Sequence, residues 1–268
     1  YYTITFVPIA AVLLALVVFG PMLNWKRDDL RRVLGRLKVP AILAAVVLVA
    51  ALPFGGLKGV ITAGALALSA WLLAGSFAVL GRRWWAGRAY LGRSIRTTPR
   101  AIVGLSIAHA GLGLLALGIT GTTAWDTDKV LNMRPGQSFE FAGRTITMSA
   151  YDLVQGPNYE AKQGRFTVKG PTGEYSLRSE KRWHPSAQTQ TTEAGIRVSA
   201  LGNLYISIGD ENAEGVVVRM WNHPLIIWIW LGGFAMSVGG LISLSDRRLR
   251  VGSTAKTPVP ASQPLPAE

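Results

Sequence analysis

The apolar residues of this 268-residue chain fall into two rhythms. Long, nearly uninterrupted apolar runs occupy 6–23, 39–52, 60–80, 101–121 and 224–244. About 20 such residues cross the hydrocarbon core of a bilayer, so four runs predict transmembrane helices, and 39–52 is at the short end. Residues 122–222 follow a different period. SFEFAGRTITMSAYDLV alternates apolar and polar residues around Ala142-Gly143, the signature of a hairpin. GRFTVKGPTGEYSLRSEK repeats it around Pro171-Thr172-Gly173. With IRVSALGNLYISIGD and GVVVRMW, five to seven strands are expected, which suits a compact barrel or sandwich. The predicted fold class is membrane α-helical, with about five transmembrane helices and an inserted small all-β domain.

Charge orients these elements. The chain carries 28 Lys and Arg against 15 Asp and Glu, a net +13. Six basic residues lie in 26–38, six in 82–100 and four in 247–256, whereas 122–222 holds eleven of each sign. Positive charge beside apolar runs is the positive-inside pattern and argues against a nucleic-acid partner. If the loops at 24–38 and 81–100 share the cytoplasmic side, an even number of crossings separates them, so 39–52 must also span. The expected organisation is four transmembrane helices within 1–121, an outside β domain at 122–222, a last helix in 223–246, and a basic, then disordered, cytoplasmic tail at 247–268. Trp25 suits the interface, as do Trp84 and Trp85, and Arg82, Arg83, Arg88 and Arg93 set topology and meet lipid phosphates.

The chemistry on offer is narrow. The chain has no cysteine, which excludes disulfides, thiolate metal sites and thiol catalysis on this polypeptide. No P-loop, dinucleotide fingerprint or serine–histidine–acid set occurs. The three histidines, His109, His184 and His223, have no local metal-binding spacing. His109 is the ionisable residue of the 101–121 run, about 12 Å from its inner end at 1.5 Å per residue. An imidazole at that depth is costly and needs a partner. Gly113, one turn above, leaves space for a flat ligand, while Gly104, Gly111 and Gly118 recur every seven residues as helix-packing positions. Two readings of His109 stay open: an axial ligand to a membrane haem, or a histidine hydrogen-bonded to a neighbouring helix, with Gly113 merely part of the packing surface. A proton relay is disfavoured because the spans carry no Asp or Glu. His184 reads as a loop histidine, and His223 as an interfacial residue beside Trp221, Trp228 and Trp230.

Several segments together resemble the C-terminal portion of the cytochrome c maturation protein F (CcmF) family, the bacterial cytochrome c haem lyases. They are IAHAGLGLLALGI around His109, MRPGQSFEFAG, VQGPNYEAKQGRFTV, EKRWHP, QTTEAGIR, LGNLYISIGD and WIWLGGFAMSVGGLISLSDRRLR, collinear from about residue 100 to 250. The resemblance implies a multi-pass protein of the bacterial inner membrane with a periplasmic β domain. It implies that His109 is one axial ligand of a haem b, with the second axial histidine upstream of Tyr1, together with the family's tryptophan-rich WWD motif and periplasmic histidines. The chain begins Tyr-Tyr-Thr-Ile and not with methionine, in keeping with that expectation. His184 and His223 do not match the family's ligand positions.

The implied reaction receives substrate haem from the haem chaperone CcmE and joins its vinyl groups to the CXXCH cysteines of apocytochrome c. The haem b reduces the incoming haem, and quinol is a candidate electron source. The implied partners are haem-loaded CcmE, CcmH, CcmI, apocytochrome c and membrane lipid. Two alternatives stand beside the lyase: a b-haem electron-transfer protein without lyase activity, and a haem-free membrane scaffold.

Overall fold

The computed structural model describes residues 2–23, 29–54, 59–171 and 173–246. Tyr1, residues 24–28 at the start of the first basic loop with Trp25, residues 55–58, Thr172 at a hairpin tip, and the tail 247–268 lie outside the described residues.

Seven α-helices are described: α1 (Tyr2–Val17), α2 (Leu30–Arg36), α3 (Lys38–Ala51), α4 (Gly59–Ala86), α5 (Leu91–Arg96), α6 (Arg100–Trp125) and α7 (Ile227–Leu244). Four helical stretches, Ile4–Met22, α4, α6 and α7, are long and apolar enough to cross a membrane. The 28 residues of α4 and 26 of α6 correspond to about 42 and 39 Å, more than a hydrocarbon core of about 30 Å. The run at 39–52 forms α3, only 14 residues and about 21 Å long, followed by a 3₁₀ turn at Leu52–Phe54. The basic loops carry the short helices α2, whose Asp29 cap accepts from the Arg31 amide at 3.3 Å, and α5.

The tightest helix contact is between α6 and α7, and glycine makes it. A Cβ on Gly104 would lie 2.4 Å from the Gly239 carbonyl oxygen, and one on Gly111 would lie 2.6 Å from that of Gly232. Gly118 and Gly121 give room to Leu225 and Ile229. The seven-residue recurrence therefore faces α7, and small residues let the two backbones touch. Leu225, with φ of +58°, turns the chain from the last strand into α7 within the space those glycines leave.

The β region is a sandwich. Its first sheet has the order β1 (Thr127–Met133), β9 (Gly215–Pro224), β8 (Gly202–Asn212) and β7 (Gly195–Arg197). Its second runs β2 (Ser138–Phe141), β3 (Arg144–Gln155), β4 (Glu160–Gly170), β5 (Gly173–His184) and β6 (Thr189–Glu193). All neighbours pair antiparallel. Facing residues such as Met148, Phe166 and Val168 from one sheet and Ile206, Val218 and Met220 from the other close a fully buried core. Ala142 and Gly143, at φ of +49° and +70°, make the β2–β3 turn as a type I′ hairpin requires.

The strands number nine among the described residues, more than the five to seven expected. The two unforeseen ones, β1 and β6, are edge strands. TQTTE is exposed throughout and TDKVLNM over its first four residues, so neither shows the alternation that one buried face imposes. The stretch IRVSALGNLYISIGD is broken at 198–201 into β7 and β8.

Candidate functional site

His109 stands on the flank of α6 that α7 leaves free. Its Nδ1–H donates to the Leu105 carbonyl oxygen one turn back, at 2.8 Å. That bond occupies Nδ1 and leaves Nε2 facing away from it, open to another partner. The space beside the ring is bounded by Val18 and Pro21 from the α1 end, Gly75, Ser76 and Val79 of α4, and Ser106 of α6. Leu72 packs in the same cluster with Val18 and is fully buried. The surround is apolar apart from two serine hydroxyls, and Ser76 satisfies itself by donating to the Leu72 carbonyl at 2.5 Å.

The donor suits a haem iron and the room does not. The cavity at His109 measures about 10 Å³, enough for about one water and far short of a porphyrin. Gly113 does not supply the missing space. A Cβ there would come within 2.9 Å of Leu73 Cγ and 3.1 Å of its amide nitrogen, so the vacancy that glycine suggests is taken by α4. Val18 likewise fills the notch left by Gly75, 2.2 Å from where a Cβ would stand. Trp71 of α4 anchors the end of α1 by donating from Nε1 to the Ala15 carbonyl at 3.0 Å.

A second polar site sits where the sandwich meets the helices. His223, near the end of β9, donates from Nδ1 to Asp126, the residue that follows α6, at 2.6 Å. Tyr205 packs edge-on against the imidazole at 5.2 Å between centroids. Next to it Arg144 reaches the Asn222 side chain at 3.2 Å, and Trp228 donates from Nε1 to the Ala200 carbonyl at 2.9 Å. His184 is far from both sites along the strands. It lies tilted against Tyr159 at 5.7 Å between centroids, and the Arg182 guanidinium sits over the same tyrosine ring at 4.5 Å. Among the described residues, no cluster of three or more His, Asp or Glu could hold a metal ion.

The basic loop after α4 is knitted to the start of α6. Trp84 donates from Nε1 to the Thr98 hydroxyl at 3.2 Å, Arg83 to the Thr97 carbonyl at 3.3 Å, and the Arg88 guanidinium lies 5.1 Å over the Trp85 ring. Asp246, beyond α7, accepts from the Ala101 amide at 3.0 Å and closes the end of the α6–α7 pair away from the sandwich.

Sequence reasoning singled out His109 and His223 but missed Asp126. The two partners are separated by 97 positions, and only the β1–β9 register, Thr127 opposite Asn222, brings them together. A charged cluster in the sandwich was also unforeseen. The Tyr151 hydroxyl is buried with no hydrogen-bond partner in reach among the described residues, and burial raises its pKa against the opposing pull of the Lys162 charge. Nearby, Lys162 pairs with Glu211 at 3.3 Å and Lys181 with Asp210; the Lys181 hydrogen bond holds the Asp210 carboxyl below its usual range.

The geometry defines a class: a helical membrane bundle with a β-sandwich inserted before its last helix. Residues 124–224 match the family described as the CcmF C-terminal β-sandwich. Along nearly its whole length the chain is similar to CycK, a cytochrome c-type biogenesis protein of Rhizobium meliloti. The two are 38% identical over 263 residues, covering 96% of this chain and 39% of that protein. CycK of Bradyrhizobium diazoefficiens is also 38% identical, over all of this chain and 41% of its own length. The cytochrome c-type biogenesis protein CcmF of Pseudomonas aeruginosa is 33% identical over 94% of this chain and 38% of its own. A solved structure of the cytochrome c heme lyase CcmF shares the fold, with a TM-score of 0.72 over 89% of this chain and 39% of that one, at 22% identity. The chain belongs to the CcmF family and carries the features of its C-terminal part. It spans about two fifths of the length of the curated relatives it matches.

Proposed function

We propose that this chain is the C-terminal part of a cytochrome c haem lyase acting in cytochrome c maturation. In this reading the lyase takes haem from CcmE and attaches it through thioether bonds to the CXXCH cysteines of apocytochrome c. CcmH and CcmI are the other partners. The sandwich lies in the periplasm, and the basic loops and C-terminus lie in the cytoplasm. Five crossings, α3 included, satisfy the positive-inside pattern. The lack of cysteine agrees, because the reacting thiols belong to the substrate.

Within that reading, His109 is an axial ligand of the membrane haem b, with quinol as the candidate electron source. The observation that carries the assignment is the Nδ1–Leu105 bond, which leaves Nε2 as a fixed donor in an apolar setting. Such second-sphere bonds orient metal-bound histidines and raise their basicity. The other ligand and the porphyrin-sized space come from outside the packing described above, since 10 Å³ beside His109 holds neither. The same closed cavity favours a second reading, a haem-free scaffold for the maturation machinery. Absorbance spectroscopy of a His109→Ala variant, in a protein of the relatives' full length, separates the two. Loss of the b-type spectrum with retained expression is expected; an unchanged haem content would sink the ligand assignment. Thioether formation on apocytochrome c then distinguishes a lyase from a b-haem electron-transfer protein.

A further inference from the structure

The segment at 198–201, VSAL, is built opposite to a water-facing loop. Its polar groups are bonded locally. The Ser199 hydroxyl donates to the Gly202 carbonyl at 2.5 Å and accepts from the Gly202 amide at 3.2 Å, while the Ser199 amide donates to the buried Asn203 side chain at 3.2 Å. Its aliphatic side chains point outward: Leu201 is 81% exposed and Val198 54%.

The height of this loop is fixed by two bonds to the start of α7. Trp228 donates from its indole to the Ala200 carbonyl at 2.9 Å, and the Leu225 amide donates to the Leu201 carbonyl at 3.2 Å. Residues 225–228 are the entry turn of a helix apolar enough to cross the bilayer, and Trp125, at the end of α6, enters from the same side. Tryptophans at span ends sit at the headgroup level. The loop is therefore held at the level where water gives way to acyl chains.

We propose that 198–201 is a lipid-inserting loop, with Leu201 and Val198 seated among the acyl chains of the leaflet on the sandwich side. The occupant is phospholipid. Burying two aliphatic side chains there stabilises one tilt of the sandwich over the membrane, because apolar contact at the interface adds to the two covalent connections to α6 and α7. Leu153 provides the internal contrast. It is equally exposed at 81%, but it lies on β3 beyond Tyr151, at the opposite end of the strand from the Arg144 that meets Asn222 near the membrane.

These 268 residues carry no cysteine, and the test uses a protein of the relatives' full length whose remaining portion is also free of cysteine. Leu201→Cys, Val198→Cys and Leu153→Cys, each in the full-length protein, are labelled with bimane and reconstituted into phosphatidylcholine vesicles. Two quenchers are compared: phosphatidylcholine with a doxyl group near the head of its acyl chain, and aqueous iodide. The labels at 201 and 198 are expected to be blue-shifted, to lose fluorescence to the doxyl lipid and to resist iodide, with the reverse at 153. Iodide quenching at 201 and 198 equal to that at 153 would show a water-facing loop and overturn the proposal. Quenching by neither agent would show the loop covered by protein, and would overturn it too.

Discussion

The seam between α6 and α7 and the core of the sandwich solve the same problem with opposite materials. The sandwich fills its interior with large side chains, Phe166, Met148, Ile206 and Met220 among them, all fully buried. The helix pair fills its interface with almost nothing: Gly104 meets Gly239 and Gly111 meets Gly232, backbone against backbone, while Gly118 gives room to Ile229. The solvent explains the difference. In water, removing apolar surface is itself the driving force, so bulk in the core is stabilising. Among acyl chains a buried leucine gains little over a lipid-exposed one, and close van der Waals contact of backbones decides.

That contrast can be broken in order of effect. Phe166→Ala should be the most damaging, costing the sandwich about 3–5 kcal/mol through a cavity its two sheets cannot collapse into. A urea midpoint of the β-domain transition unchanged from the parent protein would show that the core is not the source of its stability. Gly239→Leu comes next, at about 1–3 kcal/mol, because its Cβ would stand 2.4 Å from the Ala108 amide nitrogen. Gly240, its neighbour in sequence, has open space around it, so Gly240→Leu should be silent. Equal thermal midpoints for the two variants would refute the seam.

The smallest effect sharpens the polar side of the comparison. Glu180 accepts from Arg182 Nε at 2.7 Å and from Gln163 at 2.6 Å, and the Arg182 bond foremost holds its carboxyl below the ordinary glutamate value. A depressed folded value means that the stabilisation is complete above the unfolded value, near pH 4.5, and is lost as pH falls through the folded one. The urea midpoint of the sandwich should therefore decline below about pH 4.5, and less steeply in Glu180→Gln, whose side chain cannot ionise. Parallel pH profiles for the two proteins would remove Glu180 from the account.

Legibility tracked the range of each interaction. The 101–121 run announced a spanning helix by length, and its heptad glycines announced a close neighbour, which proved to be α7. Gly113 stayed open between ligand and packing for a physical reason: a missing side chain signals that something approaches, without saying whether it is a ligand or, as here, Leu73 of another helix. The hairpins at 142–143 and 170–173 were readable because turn residues and alternation are local. The edge strands β1 and β6 were not, since a strand paired on one side carries little pattern of its own.

What the sequence determined alone was the solvent of each region: apolar length put four stretches in hydrocarbon, alternation in most of its strands marked a β domain within 122–222, and one imidazole stood out as costly. Tertiary structure decided the partners. It gave His109 Nδ1 to Leu105, closed the space around the ring to about 10 Å³, joined Asp126 to His223, and tied the loop at 198–201 to the mouth of α7. Burial preference is a property of each residue and its near neighbours. A contact between positions 97 apart exists only once the chain has closed on itself.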